Sequence, residues 1–239
     1  MRTRSLRRVH RLARHGTEAA GTKGPSGTVP SLRTLPAGGN TRTVVLVLHG
    51  GQARSTNPVQ PWQLAYLRMI PFTYAAHSVA AQSGTAVWLL RNRLRGWNEP
   101  QRAPVDDARW ALTELRRAHP AANIVLIGHS MGGRTALRLA GDEGVVAVCA
   151  LAPWIEQEEP VRQLAGKPVL IAHGDRDRRT SPRASAEYVQ RASHSCADIR
   201  FVTVPSSGHA MLRRSGLWTA LVRDFVRDAV PTGRLQRKS

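Results

Sequence analysis

The sequence predicts an α/β domain built on a mainly parallel, doubly wound sheet with helices on both faces, and three observations support that expectation. Short apolar runs alternate with longer amphipathic segments from Thr43 to Val230, the pattern produced by successive βαβ crossovers. The clearest run is β-branched and apolar throughout, without polar alternation, as a strand covered on both faces has to be. Residues with chemical capability collect just after the runs: His49-Gly50-Gly51, Ser130, Asp175 to Asp177, and His209. Sheets of this kind place their chemistry outside the carboxyl ends of the strands.

The elements follow in order. Residues 1–40 are basic and rich in Thr, Gly, Pro and Ser without sustained apolar periodicity, so they are expected to form a disordered leader. On that reading, removing Met1 to Ala37 leaves stability unchanged, unless Val29 to Leu35 pairs as an edge strand. Thr43 to Leu48 is a central strand, too short and too β-branched for a buried helix. A helix kinked at Pro71 spans Pro61 to Gln82. The strand Ala86 to Leu90 precedes a helix over Pro104 to His119, with Asp106 and Asp107 at its positive end and Arg116 and Arg117 near its negative end. The strand Asn123 to Ile127 leads into the helix Met131 to Ala140. Strands over Gly144 to Leu151, Pro168 to Ala172 and Ile199 to Val204 alternate with helices over Arg183 to Ala192 and Leu217 to Val230. The catalytic domain is therefore drawn as residues 41–231, with a basic tail over 232–239.

Composition limits the function classes. The 239 residues can bury a core without staples, and two cysteines, Cys149 and Cys196, form neither a disulfide framework nor a zinc spacing. No apolar stretch follows the basic start and none approaches the ~20 residues of a membrane span, so a cytoplasmic protein is expected. The formal charge of +19 is spread along the chain, with +8 in residues 1–42 and +11 beyond. Basic residues are not interleaved with stacking aromatics, and no reader module is recognisable, so no specific nucleic-acid partner is expected.

The stretch Ile124 to Gly133 reads as strand, sharp turn and helix around Ser130. Gly128 and Gly132 flank the serine where side chains would collide, and the following helix offers free N–H groups and partial positive charge to an anion. Taken alone, such a turn can equally be a phosphate cradle or a loop.

Four segments together resemble the α/β-hydrolase family over roughly Thr43 to Val230: His49-Gly50-Gly51, Gly128-His129-Ser130-Met131-Gly132-Gly133, His173-Gly174-Asp175-Arg176-Asp177, and Ser207-Gly208-His209. Their order, serine then acid then histidine, matches the family's triad order. The resemblance implies a sheet of the α/β-hydrolase type. It also implies a catalytic triad of Ser130, Asp177 and His209, with the acid three residues after the glycine that ends its strand. Asp175 is the alternative acid, and its plain reading is a turn-former. A serine hydroxyl needs a base to take its proton, and that base needs an acceptor fixing its tautomer. The oxyanion formed by attack needs fixed donors. These are expected from the backbone of Met131 and of Gly51, with Gln52 as the alternative if the turn is shifted by one residue. His49, His129 and His173 are read as structural.

About fifteen residues separate Ala152 from Lys167, leaving no room for a cap domain there. Small or flexible acyl groups are therefore expected. Trp154 is the candidate substrate-binding side chain, with Trp62, Tyr66, Phe72 and Trp97 read first as core. The expected activity is carboxylic-ester hydrolysis through an acyl-enzyme, with no metal or other cofactor and a small-molecule ester as partner. A thioesterase, lactonase or small amidase would use the same triad. A binding protein of this fold without turnover is the reading from another class.

Overall fold

The computed structural model describes residues 28–196 and 198–230. Within them, seven strands form one sheet in the order β1-β3-β2-β4-β5-β6-β7. The strands are β1 Ser31–Leu35, β2 Thr43–Leu48, β3 Thr85–Arg91, β4 Asn123–His129, β5 Val145–Leu151, β6 Val169–Gly174 and β7 Ile199–Val204. All neighbours run parallel except β1, which lies antiparallel to β3. The mainly parallel sheet expected from the sequence is therefore the one present.

Period-two geometry divides the buried strand residues between two cores. Val44, Leu46 and Leu48 of β2 and Ile124 and Leu126 of β4 enter one core, while Val45, Val47, Val125 and Ile127 enter the other. The first core is closed by α3 Ala103–Ala118, α4 Met131–Arg138 and α5 Pro182–Ala192, through residues such as Leu112, Leu137 and Tyr188. The second is closed by α2 Ile70–Ala80 and α6 Ser215–Ala229, through Phe72, Ala76, Trp218 and Phe225. The kink expected at Pro71 is a break between the short helix α1 Leu64–Leu67 and α2, with Pro71 in the first turn of α2, where its missing N–H costs nothing.

Chain order places the reversal of the sheet between β2 and β4. After β2 the chain crosses to β3 on one side, then returns to β4 on the other, and Leu48 pairs in register with Gly128. The loops after β2 and β4 are thus neighbours at a switch point, where a crevice opens. The β5–β6 connection contains one short 3-10 turn, Arg162–Leu164, and no cap domain.

One boundary moves. Strand β1 lies inside residues 1–40, which were assigned to the leader, and pairs with β3 from Ser31 opposite Arg91 to Leu35 opposite Val87. The edge-strand alternative for residues 29–35 is therefore the one realised. Leu32 is its one fully buried apolar side chain, at 4 % exposure. Residues 1–27 of the leader, and residues 231–239 with the whole of the expected basic tail over 232–239, lie outside the described residues. Deleting residues 1–37 should now lower the melting temperature by several degrees. Burying Leu32 alone stabilises by about 1.5–3 kcal/mol, and about 1 kcal/mol shifts a domain of this size by roughly 2–4 °C. Deleting residues 1–23 should leave it within about a degree of the full chain; equal thermal scans for the two truncations would count against a structural role for β1.

Candidate active site

Strand β4 delivers its last residue, His129, directly to the turn that holds Ser130. Ser130 adopts φ 55° and ψ −117°, a backbone conformation that non-glycine residues rarely hold and that costs on the order of 1–3 kcal/mol. The turn is tight because glycines permit it. A Cβ on Gly128 would fall on the carbonyl of Gly132, and one on Gly132 would fall on the carbonyls of Leu48 and His49. Three hydrogen bonds fix the strained residue: its N–H donates to the Leu151 carbonyl at 3.0 Å, and its carbonyl accepts from the N–H groups of Arg134 and Trp154, both at 3.1 Å. Met131 opens α4, so its N–H is one of the donors that a helix start leaves without an internal acceptor.

The loop after β2 is pinned beside it. His49 donates through Nδ1 to the Gly50 carbonyl at 2.6 Å and accepts through Nε2 from the Asn92 N–H at 3.1 Å, tying the end of β2 to the end of β3. The N–H of Gln52 is spent on the Arg95 carbonyl at 2.8 Å. Of the two oxyanion donors considered in this loop, Gly51 alone keeps an N–H without a hydrogen-bond partner among the described residues.

Asp177, in the loop after β6, is surrounded by donors. Its Oδ1 accepts from the N–H groups of Arg179 at 2.8 Å and Thr180 at 3.1 Å. Its Oδ2 accepts from His209 Nδ1 at 2.8 Å, the Thr180 hydroxyl at 2.9 Å and His173 Nε2 at 3.1 Å. Burial alone would raise the carboxyl's pKa, but these bonds outweigh it and hold Asp177 well below the usual carboxylate range. Asp175, two residues earlier, is exposed and makes no side-chain hydrogen bond among the described residues. His173, expected to be structural, also fixes the acid, and Ser185 Oγ holds its Nδ1 at 2.8 Å. Thr180 was not identified from the sequence, since a threonine at the end of a polar loop carries no distinguishing signal.

His209 is a partly exposed ring with Nδ1 committed to Asp177, and it lines the same cleft as Ser130. No hydrogen bond joins the two side chains in this conformation, and such bonds commonly tighten only around substrate. His129 packs behind His209 with ring centroids 4.8 Å apart and donates through Nε2 to the His209 carbonyl at 2.9 Å. Its Nδ1 is buried without a partner.

These histidines carry a pH prediction. Burial, with the neighbouring His209 ring second, lowers His129 to about 3, and burial lowers His49 to about 4. Unfolded, both titrate near 6.5, so their stability contribution is complete above that value and is lost as pH falls toward the folded values. Asp107 acts in the opposite sense: burial raises it to about 6 despite its bonds to the Arg93 N–H and guanidinium, so the folded protein takes up that proton first. The net loss between pH 7.5 and 5 should be about 2–3 kcal/mol, from ~1.4 kcal/mol per proton per pH unit. Urea titrations at stepped pH read it directly, and a flat profile would show that the two rings are not held neutral.

The cleft has two lobes that meet at Ser130, His209 and Arg179. One, of about 370 Å³, reaches Val59, Leu64, Arg68 and Arg95. The other, of about 410 Å³, reaches Met131, Trp154 and Thr180. Trp154 is thus the aromatic side chain on the cleft. Tyr66, Phe72 and Trp97 are core, whereas Trp62 is 71 % exposed and lines neither lobe. Trp154 is braced from behind: the Arg134 guanidinium lies 4.6 Å from its ring and 4.4 Å from that of Trp97, while Arg134 Nε donates to the buried Glu159 at 2.6 Å.

Among the described residues no three His, Cys, Asp or Glu side chains are placed to hold a metal ion. Cys149 and Cys196 are both free and buried, and burial pushes the Cys149 thiol up to about 12, leaving it inert at neutral pH. No helix in the described residues is long and apolar enough to cross a membrane.

Comparison with known proteins agrees with this fold. The sequence pattern of the Alpha/beta hydrolase family matches residues 44–166, just over half of the chain. An alpha-beta serine hydrolase homologue from Coxiella burnetii superposes with a TM-score of 0.65 at 16% identity, covering 90% of this chain and 99% of that one. An a/b serine hydrolase without lid from Xanthomonas campestris gives 0.65 at 18% identity, covering 90% and 95%. An esterase from Pyrococcus furiosus gives 0.67 at 16% identity, covering 90% and 93%. At these identities the likeness to the solved structures is one of fold. Among curated protein sequences none matches this chain.

Proposed function

The chain belongs to the alpha/beta hydrolase family, and on that premise we propose that it is a serine hydrolase cleaving carboxylic esters through an acyl-enzyme. Ser130 is the nucleophile, His209 the general base and Asp177 its orienting acid. The observation that carries this reading is the 2.8 Å bond from His209 Nδ1 to Asp177, made by a histidine that shares its cleft with Ser130.

Each step follows from the tautomer that this bond imposes. With the proton on Nδ1 facing the carboxylate, Nε2 is the basic nitrogen and takes the serine proton as Oγ attacks the ester carbonyl. The ionised Asp177 stabilises the imidazolium that results. The N–H groups of Gly51 and Met131 receive the oxyanion, a contribution of roughly 3–4 kcal/mol per donor in comparable sites. The imidazolium returns its proton to the departing alkoxide, the alcohol leaves, and water repeats the sequence on the acyl-serine.

The absence of an inserted cap between β5 and β6 favours small or flexible acyl groups. Thioesters, lactones and small amides would meet the same machinery, and leaving-group fit selects among them. Two free buried cysteines are compatible with the reducing cytoplasm proposed as its location. Labelling with a fluorophosphonate, followed by hydrolysis of an ester series of increasing acyl length, tests the reading. Rates should fall as the acyl chain outgrows a lobe of about 400 Å³. A protein that neither labels nor turns over any ester, thioester or amide would overturn the proposal.

A further inference from the structure

The cleft is unusual in its charge. Arg68, at the end of α1, Arg95, in the loop after β3, and Arg179, in the loop after β6, all line the lobe beside Ser130, and no aspartate or glutamate lines either lobe. The nearest acid in the site, Asp177, has a side chain shut off from solvent and accepts five hydrogen bonds.

Several arginines elsewhere in the fold are ion-paired, and others stand on the outer surface away from the cleft. Arg93 pairs with Asp107, Arg134 and Arg138 with Glu159, and Arg183 with Glu187. Within the lobe, Arg95 is anchored by donating through Nε to the Pro58 carbonyl at 3.0 Å. The guanidinium groups of Arg68 and Arg179 make no hydrogen bond or ion pair among the described residues. Burial, and then the positive charge of Arg179, make Arg68 a weaker base than usual. Two like charges from separate elements, 68 and 179 in the sequence, are thus held close to the reacting serine without a counter-ion, an arrangement that an incoming anion relieves.

We propose that this lobe selects esters carrying a negative charge, with Arg68 and Arg179 holding a carboxylate or phosphate on the acyl or alcohol part while Ser130 acts on the ester carbonyl. The proposal rests on the hydrolase reading above and deepens it to a substrate class. A cavity of about 370 Å³ suits a small anionic molecule and not a polymer. Val59, Leu64 and Ala65 on its wall suit a short methylene spacer between the ester and the charged end. Arg68 lines this lobe only, so the charged part lies here, and the remaining part of the substrate lies in the lobe lined by Trp154.

The test compares substrates that differ in charge and little else. Methyl hydrogen glutarate against dimethyl glutarate places the charge on the acyl side, and 4-acetoxybenzoate against 4-acetoxybenzamide places it on the alcohol side. For one of the two pairs, kcat/KM should favour the charged ester by about tenfold or more. Arg68→Gln and Arg179→Gln should each reduce that preference by about five- to tenfold, within the range of a single hydrogen bond on a solvent-open site. Arg183→Gln, an exposed and ion-paired arginine on α5, should leave the preference where it is, which separates a local site from attraction by the net charge. Competition by inorganic phosphate against competition by glutarate tells which anion the pair of arginines holds better.

Calorimetry on Ser130→Ala with the two glutarate esters measures capture without turnover. If no ester is cleaved but charged-ester binding depends on Arg68 and Arg179, the anion site stands and the ester-hydrolase reading falls. If both members of both pairs are cleaved equally, or neither arginine affects the preference, the anion site is overturned and the hydrolase reading stands.

Discussion

Ser130→Ala should abolish covalent labelling by a fluorophosphonate and lower kcat for ester hydrolysis on the order of 10⁶-fold, the loss seen when a triad nucleophile is removed. The substitution deletes one oxygen and leaves the turn in place. The bonds from Ser130 N–H to Leu151 and from Arg134 and Trp154 to the Ser130 carbonyl are all backbone interactions at residue 130, and alanine keeps them. Circular dichroism and melting temperature should therefore match the unsubstituted protein, so a lost signal cannot be attributed to unfolding. The informative alternative is Ser207, which lies in the same motif as His209. Its hydroxyl is fully buried, donating to the Arg213 carbonyl at 3.0 Å and accepting from Trp218 Nε1 at 2.9 Å. A hydroxyl committed in this way cannot reach a substrate. Labelling that survives in Ser130→Ala, or is mapped to Ser207, would sink the assignment of the nucleophile.

How far the fold could be read in advance depended on how local each signal was. Strand β2 has the bounds expected from its apolar run, since burial on both faces writes itself into consecutive residues, and β7, at the far edge and only partly buried, still keeps the bounds of its β-branched run. The turn at Ser130 was equally legible because its constraint, two glycines flanking a serine, is contained in five residues. Strand β1 was harder. One face of an edge strand stays wet, and in Ser31–Leu35 only Leu32 is fully buried, so its composition matches that of the leader before it. Asp107 was read as an acid near a helix start, yet it is 1 % exposed and pairs with Arg93 in the loop after β3. Nothing adjacent to either residue announces that pairing. The same holds for Arg68 and Arg179. Among 35 basic residues, sequence gives no mark of those left without a partner, because that depends on which side chains the sheet brings together. The bond from Asp177 to His209 became visible only through the resemblance, since 31 residues lie between them.

Asp177→Asn should lower kcat by about 10⁴-fold, as in the best-studied triad, with much less effect on KM. An asparagine amide can turn either its oxygen or its NH₂ toward His209. If the NH₂ faces Nδ1, the ring proton moves to Nε2, which is then a donor and cannot take the serine proton. If the oxygen faces Nδ1, the tautomer is kept but the negative charge that stabilises the imidazolium is gone. The cost extends beyond the histidine. Five donors converge on the carboxylate, two of them backbone N–H groups on Oδ1. An amide presents one acceptor oxygen in place of two, so either His173, Thr180 and His209 or the Arg179 and Thr180 N–H groups face a donor. Leaving a buried donor unpaired costs about 1–3 kcal/mol, so Asp177→Asn should also melt several degrees earlier than the unsubstituted protein. Asp175→Asn is the control. Its side chain is exposed and outside the network, so kcat should change by less than about twofold and the melting temperature by less than about a degree. Measured side by side in ester hydrolysis and thermal scans, the two variants should differ by more than three orders of magnitude in rate. The reverse ranking would place the acid two residues earlier and take the 2.8 Å bond to His209 out of the mechanism.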